Sequence, residues 1–112
     1  MLFRSCPAWL SRTRESLDAS FTSRITLSAL ATEAGVHPVY LAAAFRRAFG
    51  VSVGGYVQAR RVEAARLALC DPGRSIAAIA LSLGFTSQSH FTRVFREHSG
   101  QTPLAYRRRH PA

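Results

Sequence analysis

Apolar residues recur along this chain at helical intervals, in paired segments. Leu27, Leu30, Ala31 and Ala34 stand at i, i+3, i+4 and i+7, and Leu41, Ala44, Phe45 and Ala48 repeat the spacing. Ile76, Ile79, Ala80 and Leu83 follow the same rule, as do Phe91, Val94, Phe95 and His98. Each stripe predicts an amphipathic helix with one face turned to a core. Boundary residues agree. Thr26 and Ser75 stand where N-caps belong, Pro38 suits a first helical position, and Thr86 or Ser87 can cap the last of these helices. Gly35 and Gly84 fall where the first helix of each pair must stop, and Gly50 and Gly100 where the second must. Each half therefore reads as helix, short turn, helix.

The two halves are copies of one another. LSALATEAG (27–35) superposes on IAAIALSLG (76–84) with an offset of 49, and beyond the glycine an offset of 50 sets Leu41 on Phe91, Phe45 on Phe95, Gly50 on Gly100 and Tyr56 on Tyr106. Ala31 and Ala80 occupy matching positions where two steeply crossing helices can approach closely only past a small side chain.

Residues 55–70 predict a further helix between the copies, with Tyr56, Val62, Ala65 and Leu69 on its apolar side and Arg60, Arg61 and Arg66 outside. Those arginines are open to ion pairs with Glu63 or Glu97, or to phosphate. Gly54 and Gly55 weaken the start, which puts it near Gly55 or Tyr56, and the DPG at 71–73 ends it. Such a rod is roughly 20 to 25 Å long, enough to hold two units apart on one face. Upstream, Pro7, Trp9, Leu10, Leu17 and Phe21 predict a first helix covering the N-terminal unit. At the other end, Thr102 and Pro103 open a short helix with Leu104 and Tyr106, followed by Arg107, Arg108 and Arg109 as a solvated tail, with phosphate contact as the alternative. The expected chain is all-α, with about seven helices. Its segments are an untethered or disordered 1–6, a first helix-turn-helix unit at 7–53, a linker helix at 54–71 and a second unit with a basic tail at 72–112.

Charge narrows the partner. Fifteen basic residues, all arginine, face six acidic ones, for a formal net charge of +9 and a pI near 11.4. A field of that sign favours a polyanion, and guanidinium pairs in bidentate fashion with phosphate and guanine. No apolar run approaches the roughly 20 residues of a spanning helix, and no signal peptide is recognisable, so a membrane partner is not expected. Cys6 and Cys70 have no CxxC spacing, which fits a reducing, cytoplasmic setting. Cys70 reads as a small buried residue near a helix end, with a redox-sensing thiol as the alternative. Cys70, His37, His90 and the few carboxylates form no nucleophile, base and orienter set, no glycine-rich phosphate loop is present, and no His/Cys ligand set appears. An enzyme, a metal and a cofactor are therefore not expected.

Three stretches carry a resemblance: ITLSALATEAGVHPVYLAAAFRRAFGVSVGGYV, RVEAARLAL and SIAAIALSLGFTSQSHFTRVFREHSGQTPLAYRR. Over about residues 17–108 the chain resembles the DNA-binding domain of AraC/XylS-type bacterial transcription regulators. The resemblance implies two homeodomain-like helix-turn-helix units on a linker helix. Their second helices, about 38–49 and 87–99, would enter successive major grooves on one side of double-stranded DNA. It implies a sequence-specific regulator, an activator that touches RNA polymerase and binds an asymmetric site as a monomer unless it is part of a longer dimeric regulator.

On the family pattern, base-facing positions fall on Gln88, Ser89, His90 and Arg93 in the second unit and on Val39, Ala42 and Ala43 in the first. Phosphate contacts fall on Arg46, Arg47, Arg96, Thr86, Ser87, His37 and Tyr40. The first unit departs from the pattern because Val39, Ala42 and Ala43 carry no side-chain donor, leaving thymine methyl contact or flat packing. His37 also stands where a serine cap is usual, and His98 falls on the apolar side, where a packed histidine is expected. The alternative is a helical protein-interaction adaptor without specific DNA binding, for which a charge of +9 has no use. A separate effector-sensing domain does not fit in this length, so the expectation is a stand-alone regulator or the C-terminal part of a longer one.

Overall fold

The computed structural model describes residues 6–111, and among them it forms seven helices and no strand. They are α1 (Ala8–Ser20), α2 (Leu27–Ala34), α3 (Pro38–Phe49), α4 (Val53–Leu69), α5 (Ile76–Ser82), α6 (Gln88–Ser99) and α7 (Pro103–Arg109). The chain divides into two compact units between Val57 and Gln58, inside α4.

The position of that division follows from the burial pattern. In the first unit, Leu10 and Leu17 of α1 pack with Leu30 and Ala31 of α2, with Leu41, Ala44 and Phe45 of α3, and with Val57 from the start of α4. In the second, Val62, Ala65 and Leu69 of α4 pack with Ile79 and Ala80 of α5 and with Phe91, Val94 and Phe95 of α6. Leu10, Thr13 and Leu17 are the buried residues of α1, and an offset of 52 sets them on Val62, Ala65 and Leu69. One helix thus does two jobs: its first turn closes unit one as α7 closes unit two, and its remainder opens unit two as α1 opens unit one. The closing helices pack alike. Tyr56 meets Phe45 edge-on at 5.7 Å and Tyr106 meets Phe95 edge-on at 5.5 Å, both with rings inclined by 76°.

The start of α4 lies at Val53, two residues before the glycine pair was expected to permit it. Ser52 is the reason. Its hydroxyl accepts from the Gly55 N–H at 3.0 Å while its carbonyl accepts from the Tyr56 N–H at 2.9 Å, the two bonds of an N-cap. Thr102 does the same for α7, accepting from the Ala105 N–H at 3.1 Å. Gly55 is needed for room: a Cβ there would lie 2.8 Å from Val51 Cγ2. Gly35 shows the opposite case, with open space around it but a φ of 73° that completes a left-handed cap on α2.

Residues 1–5 of the segment expected to be untethered lie outside the described residues. Cys6, its last member, is half-buried against the first core, with Sγ 3.6 Å from Ser11 Oγ. Cys70 is half-buried too, and its thiol donates to the Arg66 carbonyl at 3.4 Å, one turn back. Among the described residues no helix is long and apolar enough to cross a membrane.

The C-terminal arginines are not all a solvated tail. Arg107 donates from Nε to the Leu69 carbonyl at 2.9 Å, and from Nη2 to the carbonyls of Arg74 at 2.6 Å and Asp71 at 3.1 Å. The end of a helix leaves carbonyls without intrahelical donors, and here a guanidinium satisfies that of Leu69 together with two in the loop that follows. Arg108 and Arg109 remain exposed.

Candidate nucleic-acid interface

In α6 the core face is set by Phe91, Val94 and Phe95, all fully buried, which fixes what the opposite face can show. Ser87, rather than Thr86, caps the helix, its hydroxyl accepting from the His90 N–H at 3.0 Å. Gln88, Ser89, Thr92, Arg93, Arg96 and Glu97 then line one open concave stretch of surface. Four of the six were singled out from the sequence. Thr92 and Glu97 were not, although each lies four residues on, one helical turn, from an expected contact (Gln88 and Arg93 respectively). Arg93 Nη1 lies 3.4 Å from the Glu97 carboxylate, an exposed pair.

His90 stands apart from that stretch. It is half-buried, its ring edge-on to Phe85 at 5.4 Å and 79°, with Nδ1 3.4 Å from Thr86 Oγ1. The helical turn points it toward the rim of the core, between the apolar and polar faces. His98 departs from expectation in the other direction: it follows the apolar spacing but is exposed, one turn beyond Val94 in the last turn of the helix.

The matching helix of unit one, α3, is capped by His37, whose Nδ1 accepts from the Val39 N–H at 3.1 Å, with Pro38 at the first helical position. The histidine performs the serine's task. Val39 is 70% exposed and Tyr40 53%, the Tyr40 ring leaning on Trp9 at a centroid distance of 5.8 Å. Ala42 is half-buried, whereas Ala43, Arg46 and Arg47 are exposed. No acidic residue occurs in α3. In the second unit Thr86, Ser87 and Arg96 are likewise exposed.

Not all the arginines of α4 stand outside. Arg61 retains only 9% of its exposure, its guanidinium lies 5.4 Å over the Phe85 ring, and desolvation by burial holds its pKa below the ordinary arginine value. It is a packing residue of the second core. Arg66 Nε pairs with Glu63 at 3.7 Å, and Arg60 is half-buried. Glu97 is engaged by Arg93 in its own helix. Among the described residues no group of three or more His, Cys, Asp or Glu side chains gathers as a metal site would require.

Comparison with known proteins agrees with this architecture. The family described as "Helix-turn-helix domain" matches residues 30–109. The chain is 30% identical over 99 residues to the bifunctional transcriptional activator/DNA repair enzyme AdaA of Bacillus subtilis, covering 88% of this chain and 47% of that one. It is 34% identical over 95 residues to regulatory protein SoxS of Salmonella typhimurium, covering 85% and 89%. The C-terminal domain of AraT, a response regulator from Geobacillus stearothermophilus, superposes with a TM-score of 0.89 at 27% identity, covering 96% of this chain and 90% of that one. Against regulatory protein PocR of Salmonella typhimurium, as against AdaA, the chain spans less than half of the relative's length, 30% and 47% respectively. Two helix-turn-helix units of matching design, together with these likenesses, establish that the chain belongs to the AraC/XylS-type family of helix-turn-helix DNA-binding domains.

Proposed function

We propose that the chain is a sequence-specific double-stranded DNA-binding regulator of transcription, and an activator, with α6 and α3 each entering a major groove. The observation that carries this reading is the outer face of α6. A helix anchored by three buried apolar residues presents Gln88, Ser89, Arg93 and Arg96 together on one side. Gln88 has the donor and acceptor for adenine N7 and N6, Arg93 the fork for guanine O6 and N7, and Ser89 suits either pair. Arg96, Thr86 and Ser87 border that face and serve phosphate, as do Arg46, Arg47, His37 and Tyr40 around α3. His90 steadies the start of α6 against Phe85 and reaches DNA at the margin of the site.

Activation is supported by the word "activator" in the AdaA name, and it requires a contact with RNA polymerase in the bacterial cytoplasm. The chain acts by binding alone, as a monomer on an asymmetric site, and the DNA repair activity in the AdaA name is not carried over to it.

Selection of duplexes from a random DNA pool, followed by titration against salt, tests the reading. Log affinity is expected to fall against log salt with a slope of about −0.9 for each phosphate neutralised. Arg93→Ala is expected to cost about 1 to 3 kcal/mol on the selected site and to relax one base pair. A flat salt response, or no selected sequence, overturns the reading in favour of a protein-binding adaptor. An equal loss for Arg93→Ala on all sequences reduces Arg93 to a phosphate contact. Transcription from a promoter carrying the selected site, with purified polymerase, checks the sign of regulation.

A further inference from the structure

The offset of 50 that relates α3 to α6 turns their outer faces into a substitution table. Arg46 falls on Arg96, but Val39 falls on Ser89, Ala42 on Thr92 and Ala43 on Arg93. The first unit keeps the flanking cation and, at these three positions, carries methyl groups in place of hydrogen-bonding side chains, while Gln88 is matched by Pro38 and His90 by Tyr40. Glu97 is matched by Arg47, so α3 is also the more positive of the two helices.

These methyls are firmly held. The Val39 N–H is tied to the His37 cap, a β-branched side chain in a helix occupies essentially one rotamer, and Ala43 has no rotamers to lose. Val39 nevertheless stands 70% exposed with Ala43 exposed one turn further on, flanked by exposed Arg46 and Arg47. An apolar surface bordered by cations and lacking carboxylates complements a polyanion that carries apolar groups of its own. In the major groove the apolar group on a base edge is the methyl at carbon 5 of thymine.

We propose that α3 reads pyrimidine 5-methyl groups: Val39 and Ala43 select thymine, and 5-methylcytosine over cytosine, in the part of the site contacted by the first unit. This inference rests on the DNA-binding reading above. It gives the first unit a specificity of its own without hydrogen bonds, and it makes binding sensitive to cytosine methylation wherever a methylatable cytosine occupies such a position.

The test uses the full chain and a duplex selected from a random pool, with each thymine replaced singly by deoxyuridine, which removes only the methyl. One or two positions are expected to lose about fourfold in affinity, the worth of one buried methyl. At those positions a 5-methylcytosine pair is expected to bind better than a cytosine pair by a similar factor. Val39→Ala, a substitution at an exposed site that leaves the core intact, is expected to abolish the deoxyuridine effect at one of them. Arg93→Ala is expected to leave the effect unchanged. If no thymine responds while Arg93 still discriminates its base pair, the inference fails and the DNA-binding reading stands. If Val39→Ala weakens thymine and deoxyuridine duplexes equally, the valine serves some other contact and the inference fails. If no duplex is selected at all, both fall together.

Discussion

In the first unit the closing helix is fastened to the opening one by a side-chain pair, Tyr56 donating its hydroxyl proton to Asp18, just past the buried Leu17. In the second, the same junction is made by Arg107, which donates to three backbone carbonyls at and after Leu69. Val57 stands at the position matching Arg107 and is buried in the first core. The difference has a physical origin. In unit one the closing element continues as the rest of α4, so Val57 is an interior helical residue that the first core can bury. In unit two the closing helix ends three residues after Tyr106, and the residue in Val57's place reaches the carbonyl at the end of α4 and two in the loop beyond it. One plan thus survives the exchange of a buried valine for a hydrogen-bonding guanidinium, provided that some group ties the closing helix to the opening one.

If the plan is shared, the matching aromatic anchors should matter equally. Phe45 and Phe95 are fully buried at corresponding positions, and truncating either is expected to cost about 3 to 5 kcal/mol. Hydrogen exchange resolved by segment checks the comparison: Phe45→Ala is expected to lose protection first in α1 to α3, and Phe95→Ala first in α5 to α7. Equal loss across the whole chain in both variants would make the two units a single cooperative body.

The fastenings should differ more than the anchors. Arg107→Ala removes three charge-assisted bonds to carbonyls and is expected to cost about 2 to 3 kcal/mol in urea unfolding of the second unit. Arg107→Lys is not expected to restore it, because an ammonium cannot reproduce the planar fork that spans Leu69 and Arg74. Tyr56→Phe, which removes one bond to a half-buried carboxylate, is expected to cost about 1 to 2 kcal/mol in the first unit. A larger loss from Tyr56→Phe than from Arg107→Ala would reverse the ranking.

The repeated core of both units was legible in the sequence because apolar residues at helical spacing leave little choice of buried face. Thr26, Ser75, Thr102 and Pro38 serve as the sequence implied. The match between α1 and the latter part of α4 was hidden for a definable reason. It needs an offset of 52 and pairs Thr13 with Ala65, a polar residue buried because its hydroxyl donates to the Trp9 carbonyl at 3.0 Å. Arg107 was hidden in a run of three arginines that are alike in composition. What separates it from Arg108 and Arg109 is helical phase relative to the end of α4, a tertiary fact. Arg61 was missed similarly, since its neighbour Phe85 lies 24 residues away in sequence and the stacking that shelters its charge leaves no local mark. On the outer face of α6, the family pattern named Gln88, Ser89, His90 and Arg93, and the structure adds Thr92 and Glu97 to that stretch while setting His90 at its margin against Phe85.

Glu97 gives the finest comparison between the units, because it is the acid on α6 where α3 has Arg47. Its pair with Arg93 is exposed on both sides and spans one helical turn, an arrangement worth only about 0.3 to 0.5 kcal/mol. Glu97→Gln is therefore expected to leave thermal unfolding almost unchanged. In DNA binding the same carboxylate has two opposed effects. It repels phosphate, and it holds the guanidinium that the proposed function assigns to guanine, limiting the directions in which Arg93 can reach. Removing the charge is expected to raise affinity for all duplexes by about twofold, the equivalent of the lost pair, and to narrow the gap between the selected site and a site altered at the Arg93 base pair. Titrating the variant against both duplexes at one salt concentration measures the two effects at once. A gain in affinity with discrimination intact would mean that Glu97 acts only as a negative charge on the face. A loss on the selected site alone would mean that its carboxylate accepts a bond from a base, as it can from the amino group of cytosine.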